Sequence, residues 1–296
     1  MIFCSRQSGG RRVMDALISL VCSTIGRPEA LRRLLASVAA SALADRVEFV
    51  LVDQSAAQSC AAVLADFALP GPHRVTTSGL GVSTGRNAGT PLAQGRIVAY
   101  PDDNCWYPPE IFRAVIETLD RRTELSGVTG MQVTEAGAPS MLRWLPEPAT
   151  VTRRNFLRTS VSSTIFLRRD ALPSSTPFDE GVGVGSPGRR GAGEESDLLL
   201  RLIASGHTVE YRPEIKVFQE DDRDQMTPAY IAKMAKYGVG QGYLWRRHDL
   251  PVSSLAYYSA RKIAGAGLRA ARGQKVHARA DLAFVRGQVA GWLGAG

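Results

Sequence analysis

Short apolar runs alternate with helical patterns over the first 120 residues, and this alternation limits the fold more than any other feature. The runs at 16–22, 47–52, 74–77 and 97–100 have the length and the aliphatic or β-branched content of buried strands. Between them, apolar residues recur at helical spacing. Strands that alternate with helices form a largely parallel sheet with helices on its faces. We therefore predict an α/β fold with a mostly parallel central sheet.

The fourth run leads directly into two carboxylates and an amide, Asp102, Asp103 and Asn104. Open α/β sheets bind ligands at the carboxyl ends of their strands, which is where these three side chains fall. Clustered oxygen ligands suit a hard divalent ion such as Mg²⁺ or Mn²⁺, usually shared with a substrate phosphate. An Asp-rich turn that caps the following helix is the alternative interpretation. The strand in front of the motif and Trp106 behind it favour the ligand site.

Other polar loops should lie along the same sheet edge. Thr24 and Arg27 follow the first predicted strand, and Asp53 ends the second. The glycine-rich segment at 79–89 matches neither the dinucleotide fingerprint nor a P-loop. We predict that its glycines let a loop and a first helical turn approach a ligand closely, with Arg86 placed to meet a phosphate or a base. A surface arginine on a short helix is an equally good interpretation of this segment alone.

The second half contains another acidic cluster. A glycine-rich loop at 178–193 runs into Glu194, Glu195 and Asp197, which fall in the first turn of a predicted helix. Acids at that position interact favourably with the helix dipole and need no other role. Two closing strands are predicted beyond this helix, at 208–211 and 214–218.

The cysteines Cys4, Cys22, Cys60 and Cys105 lie far apart and show no metal-ligand spacing, so we expect free thiols in a reducing compartment. The four histidines are scattered, which excludes a zinc-binding pattern.

The longest apolar runs fall short of the roughly 20 residues that span a membrane. The first dozen residues lack the apolar core of a secretory signal. We expect residues 1–14 to be a disordered extension.

Positive charge is concentrated at the end of the chain. Residues 1–222 carry 24 Lys or Arg against 25 Asp or Glu, whereas residues 223–296 carry 12 against 3. The last helix is predicted to place one apolar stripe beside its arginines, formed by Leu282, Val285, Val289 and Trp292. Such a basic amphipathic helix either lies on an anionic membrane or packs its stripe on the catalytic domain. Nucleic acid is not expected as a partner, because no recognised binding module accompanies the charge.

The motifs in chain order resemble those of the family-two glycosyltransferases, which have the GT-A fold. They read STIGRP, VDQS, GRNAG and PDDN followed by WYPP, and they extend over roughly residues 16–219. The resemblance implies that Asp53 contacts the nucleotide base, Asp102 the ribose and Asp103 a metal-bound diphosphate. Asn104 stands where many relatives have a third aspartate.

The same resemblance implies that the acidic cluster supplies the catalytic base. Glu195 aligns with the base, and Glu194 and Asp197 stay open as alternatives. Relatives often have a further metal ligand, a histidine, just after the last strand, where this chain continues with Gln219. The small-residue segment at 237–243 is similar to a helix of exopolysaccharide-type bacterial members.

The expected protein is thus a GT-A-like domain at 15–222, with a basic helical tail at 223–296. It would be a hexosyltransferase-type inverting enzyme, dependent on Mg²⁺ or Mn²⁺, that uses a nucleotide-diphosphate sugar donor. The acceptor would be a saccharide or a lipid-linked hydroxyl in cell-surface polysaccharide or glycolipid synthesis. The expected location is the cytoplasm, at the inner face of the membrane, with peripheral contact through the tail.

Two other functions compete with this one. Asn104 and the missing histidine are compatible with a nucleotide-sugar-binding homologue that has little or no turnover. A nucleotidyltransferase would also use aspartates at strand ends. It should have a glycine-rich basic loop directly after the first strand, and the loop present here has only Gly26 before Arg27.

Overall fold

A computed structural model of the chain describes residues 16–220 and 227–295. The predicted disordered extension at 1–14 and the predicted boundary at 222/223 lie outside the described residues. The described chain divides into two compact units. The first contains residues 16–80, Thr84–Pro177 and Leu198–Glu220, and the second contains Gly81–Ser83, Phe178–Asp197 and 227–295.

Nine strands form one sheet in the first unit. The strands are β1 Ile18–Thr24, β2 Val47–Asp53, β3 His73–Thr76, β4 Ile97–Ala99, β5 Cys105–Trp106, β6 Gly127–Val133, β7 Ala149–Thr150, β8 Ile165–Arg168 and β9 Val209–Gln219. The helices of the chain are α1 Pro28–Ala39, α2 Ser59–Asp66, α3 Val82–Gly89, α4 Ile111–Arg121, α5 Glu194–Ala204, α6 Pro228–Arg247, α7 Val252–Ala271 and α8 Lys275–Trp292.

The sheet order is β3-β2-β1-β4-β8-β6-β9-β5, with β7 paired to β9. Strands β1 to β4 are mutually parallel, and β8 inserts antiparallel between β4 and β6. The predicted α/β class and its parallel core are confirmed. Parallel pairing requires helical crossovers, which explains why α1 and α2 separate the first three strands.

Helix α1 shows how the local sequence forms this core. Pro28 occupies its first turn, where a missing N–H costs nothing, and Glu29 adds a favourable charge there. Its inward face consists of Leu31, Leu34, Leu35 and Val38, spaced to lie on one side, and all four are buried in the main core.

The two closing strands predicted at 208–211 and 214–218 are in fact the single strand β9. It pairs with β6 through Tyr211 and resumes at Lys216, with a shift of register between. Pro213 lies in the skipped stretch and has no N–H for the ladder. The sequence signal that suggested a strand end therefore marks an irregularity within one strand.

The glycines of α3 pack this helix against the sheet. A Cβ at Gly89 would lie 2.5 Å from Val21 Cγ1, and one at Gly85 would lie 2.6 Å from Ser23 Cβ. Only glycine permits this approach. The prediction that these glycines serve a ligand is therefore corrected for Gly85 and Gly89, because both contact strand β1.

In the second unit, α6 and α8 pack with their backbones in contact along a seam of four glycines, Gly238, Gly242, Gly287 and Gly291. A Cβ on any of them would lie 1.9–2.1 Å from a carbonyl oxygen of the facing helix. Two glycines four residues apart on each helix form the small-xxx-small pattern that lets helices approach this closely. Gln288, which is 1 % exposed, donates to Gln241 and accepts from Ser259 beside the seam.

The face that α8 buries against α6 is this glycine seam and not the predicted apolar stripe. Leu282 and Val289 are 41 % and 45 % exposed, whereas Val285 is buried. Helix α8 therefore buries its glycine face and not a continuous aliphatic stripe. Among the described residues, no helix is both long and apolar enough to cross a membrane.

Candidate active site

The carboxyl ends of β1, β2 and β4 bring the first set of polar residues together. Thr24 at the end of β1 lies opposite Asp53 at the end of β2. Ser23 forms an isolated bridge with Asp102, which follows β4. Parallel strands end at the same edge, so residues far apart in sequence become neighbours there.

Asp103 is held by Thr24, the last residue of β1, and by Arg27 in the loop that follows. Thr24 Oγ1 donates to Asp103 Oδ2 at 2.5 Å, and Arg27 Nε donates to the same oxygen at 3.1 Å. The second carboxylate oxygen, Oδ1, forms an ion pair with Arg27 Nη2. Only 1 % of the Asp103 side chain is exposed, and this burial raises its pKa above the usual value, against the opposing effects of Thr24 and Arg27.

Asp102 is paired with a second arginine. Arg86 Nη2 lies 3.1 Å from Asp102 Oδ1, and it also donates to Ser162 Oγ. The Arg86 side chain is 2 % exposed, whereas Asp102 is 33 % exposed. Ser162 donates in turn to the carbonyl of Tyr100, at 3.0 Å. The buried guanidinium thus fixes a carboxylate that still reaches solvent.

The role of Ser162 was not predicted from the sequence, since a serine-rich turn before a strand carries no distinctive signal. Arg86 was expected to meet a phosphate or base directly, and in this structure it contacts the neighbouring carboxylate.

Asp53 caps the helix that follows it. Its Oδ2 accepts from the backbone N–H groups of Cys60 and Ala61 at 3.0 and 2.9 Å, in the first turn of α2. Its Oδ1 accepts from the N–H and the hydroxyl of Ser55 at 2.9 and 2.6 Å. These bonds satisfy otherwise orphaned helix donors and fix the Asp53 side chain, which is 1 % exposed.

Asn104 is held by a residue that the sequence did not single out for binding. Gln219 Nε2 donates to Asn104 Oδ1 at 3.1 Å. Gln219 ends β9, which pairs antiparallel with the short strand β5 just after Asn104. The residue at the place of the expected histidine thus contacts the acidic motif.

The donor chemistry of Asp102, Asp103 and Asn104 suits a divalent cation, because all three offer oxygen atoms at one strand end. The described residues contain no group of three or more His, Cys, Asp or Glu side chains arranged for a metal. The two carboxylates and the amide fit an ion that a substrate would help to hold, provided that the Asp103 oxygens become available.

The acidic cluster lies at the start of α5, in the second unit, and its three acids differ in their surroundings. Asp197 is fully buried, 2.8 Å from Arg247 Nε and 2.9 Å from His248 Nε2. Glu194 is also buried, at 6 % exposure, whereas Glu195 is partly exposed. The contacts with Arg247 and His248 were not predicted, because both partners lie about 50 residues away, at the end of α6 and just after it.

The cysteines of the described chain, Cys22, Cys60 and Cys105, are free, as predicted, and all three are buried. Burial raises the pKa of the Cys22 and Cys105 thiols well above their usual value. These thiols therefore stay protonated and pack as small apolar groups.

Solved structures with the same fold are glycosyltransferases. A mannosyltransferase from Pyrobaculum calidifontis, PcManGT, in complex with GDP-Man and Mn²⁺, has a TM-score of 0.62 at 12 % identity, with 94 % of this chain and 90 % of that one covered. S. aureus TarS 1-349 in complex with UDP-GlcNAc has a TM-score of 0.59 at 13 % identity, with 95 % and 93 % covered. The fold is therefore that of the GT-A glycosyltransferases.

The family follows from the sequence. The model of glycosyl transferase family 2 matches residues 19–172, which is more than half of the 296 residues. This chain belongs to glycosyl transferase family 2. Among curated proteins, none matches the sequence significantly.

Proposed function

We propose that this protein transfers a sugar from a nucleotide-diphosphate donor to an acceptor hydroxyl, with inversion at the anomeric carbon. The observation that carries the proposal is the convergence of Asp53, Asp102 and Asp103 at one sheet edge in a family 2 chain. The solved structures of similar fold were obtained with GDP-Man and with UDP-GlcNAc, which supports a nucleotide sugar as the donor.

The donor roles are assigned to the first unit. Asp53 binds the base and Asp102 the ribose, with Arg86 holding Asp102 in place through the 3.1 Å pair. Thr24 and Arg27 lie where the diphosphate would be bound. A divalent cation at Asp103 and Asn104 offsets the negative charge that grows on the departing nucleoside diphosphate.

Glu195 is assigned as the base. Its carboxylate takes the proton of the acceptor hydroxyl while that oxygen attacks the anomeric carbon, and the bond between the sugar and the diphosphate breaks on the opposite face. Asp197 is less suited, since Arg247 and His248 already engage it in a buried pair. Glu195 is the least buried of the three acids, which supports its access to an acceptor.

A panel of nucleotide sugars tests this proposal. We expect one of them to raise the apparent melting temperature of the full chain, because a ligand that binds only the folded state stabilises it. The same compound should be hydrolysed slowly with added Mn²⁺ or Mg²⁺ and no acceptor. A nucleotide sugar that binds but is never hydrolysed or transferred would indicate a binding homologue, and release of pyrophosphate would indicate a nucleotidyltransferase.

We further propose that the acceptor is lipid-linked and that the protein works at an anionic membrane surface. The surface that supports this is α7 and not the predicted stripe of α8. Large apolar side chains on α7 are about half exposed, namely Val252, Tyr257, Ile263 and Leu268. Helix α7 carries Arg261, Lys262 and Arg269 and no Asp or Glu, and Lys262 and Arg269 are paired with Asp281 of α8. Exposed apolar and basic side chains on one helix are typical of interfacial binding.

Liposome co-sedimentation tests the membrane proposal. Full-length protein should pellet with anionic vesicles at low salt and much less with neutral vesicles, because basic residues contribute about 1 kcal/mol each at an anionic surface. Ile263→Asp places a negative charge on the exposed side of α7 and should abolish pelleting. Leu282→Asp, on α8, is the matched control and should retain it. A wild-type chain that stays in the supernatant with anionic vesicles would refute membrane contact.

A further inference from the structure

Each carboxylate of the acidic motif is paired with an arginine, and the two arginine side chains differ in how far they are exposed to solvent. Arg86, which pairs with Asp102, is 2 % exposed and also donates to Ser162. Arg27, which pairs with Asp103, has a side chain that is 52 % exposed. Arg86 therefore belongs to the core of the site, whereas the Arg27 guanidinium is able to move into solvent.

The backbone around Arg27 fits such a movement. Arg27 is the N-cap residue of α1, where its carbonyl accepts the first helical hydrogen bond from Leu31 N at 3.0 Å, and it follows Gly26 at a φ of 104°. Its side chain makes no cap hydrogen bond. Loss of the Arg27–Asp103 contact would thus leave α1 and its buried leucines intact.

The guanidinium of Arg27 lies against the two carboxylate oxygens of Asp103 that a cation would need. Nε donates to Asp103 Oδ2, and Nη2 pairs with Oδ1, so both carboxylate oxygens are engaged by the same side chain. Thr24 Oγ1 also donates to Oδ2. A divalent cation beside this guanidinium would be repelled by its charge, even though Asp103 Oδ1 accepts no hydrogen bond.

We propose that Arg27 is an exchangeable counter-cation of Asp103, which neutralises this carboxylate until it is displaced by a divalent cation. The inference rests on the proposed function, because it assumes that Asp103 is the cation ligand. Arg27 then limits metal affinity in the absence of donor. Once displaced, its guanidinium is available to an anionic ligand at the same sheet edge, so that Asp103 is never left as a buried charge without a partner.

Mn²⁺ titration of the full chain without nucleotide, followed by electron paramagnetic resonance of free Mn²⁺, tests the exchange. Arg27→Gln should raise Mn²⁺ affinity by about tenfold or more, since it removes the competitor. Arg32→Gln is the matched control, because it makes the same change in charge on the exposed side of α1, and it should leave the affinity close to that of the wild type. In an Asp103→Asn background, Arg27→Gln should have no effect on Mn²⁺ affinity.

Any of three results with these variants would overturn the proposal, and Arg27→Lys provides a fourth test. These are an Mn²⁺ affinity of Arg27→Gln no higher than that of Arg32→Gln, an increase that persists in Asp103→Asn, or no Mn²⁺ binding by any variant. Arg27→Lys keeps the positive charge but loses the paired N–H donors of the guanidinium. It should bind Mn²⁺ with an affinity above that of the wild type. A folded Arg27→Lys with wild-type affinity would also contradict the exchange. The titration contains no nucleotide, so its outcome does not depend on the nucleotide-sugar panel. Failure of that panel would refute the proposed function.

Discussion

Glu195→Gln should lower the turnover of sugar transfer by about 10²–10⁴-fold, the usual contribution of a positioned general base. Glutamine keeps the size and the hydrogen-bonding capacity of the side chain but does not accept a proton at neutral pH. The affinity for the donor should barely change, because the proposed donor-binding residues are Asp53, Asp102 and Asp103. Initial rates at saturating donor, together with calorimetric donor binding, would measure both effects.

The matched comparison is Asp197→Asn, which makes the same chemical change two residues along α5. We expect it to act on stability, because Asp197 is fully buried against Arg247 and His248. Loss of its charge should cost about 1–3 kcal/mol of unfolding free energy, since Arg247 is 36 % exposed and water compensates in part. Near-normal turnover in Glu195→Gln, with loss of turnover in a folded Asp197→Asn, would show that the base is Asp197.

The parts of the fold that the sequence predicted well depend on local periodicity. The apolar run at 47–52 agrees with β2, which is buried along its whole length, and the helical spacing of Leu31, Leu34 and Leu35 agrees with α1. Helix α2 begins only at Ser59, since the preceding residues form the turn in which Ser55 bonds to Asp53.

The contacts that define the candidate site depend on long-range pairing, which no local pattern reveals. Arg27 meets Asp103 across 76 positions, and Arg86 also meets Ser162 across 76 positions. The sequence indicated that Arg27 and Asp103 would share a sheet edge. It did not indicate that one would neutralise the other, because that depends on rotamers and on the exact ends of the strands.

For the last helix, a real local pattern did not reveal which face of the helix is buried. Leu282, Val285 and Val289 do recur at helical spacing, but glycines at 287 and 291 allow a closer approach on another side. Backbone contact along the α6–α8 seam fixes the rotation of α8. Part of the stripe is consequently left in solvent.

Gly242→Ala and Gly291→Ala should therefore destabilise the second unit more than any surface substitution in it. The added Cβ would lie 1.9 Å from Gln288 O in the first variant and 2.1 Å from Val239 O in the second. Rigid backbone oxygens lie on the opposing side, so the helices must separate. We expect each variant to lose about 3 kcal/mol or more, at the upper end of overpacking costs. Hydrogen exchange of α6 and α8 peptides in the intact chain should accelerate accordingly.

Gly267→Ala separates this steric effect from helix propensity. Gly267 lies within α7, it is exposed, and a Cβ there would meet no atom within 4 Å. Alanine should stabilise this helix by about 1 kcal/mol, because it restricts the unfolded chain more than glycine does. If Gly242→Ala and Gly291→Ala were as stable as Gly267→Ala, the two helices would not be in backbone contact. The orientation of α8, and with it the exposure of Leu282 and Val289, would then need another cause.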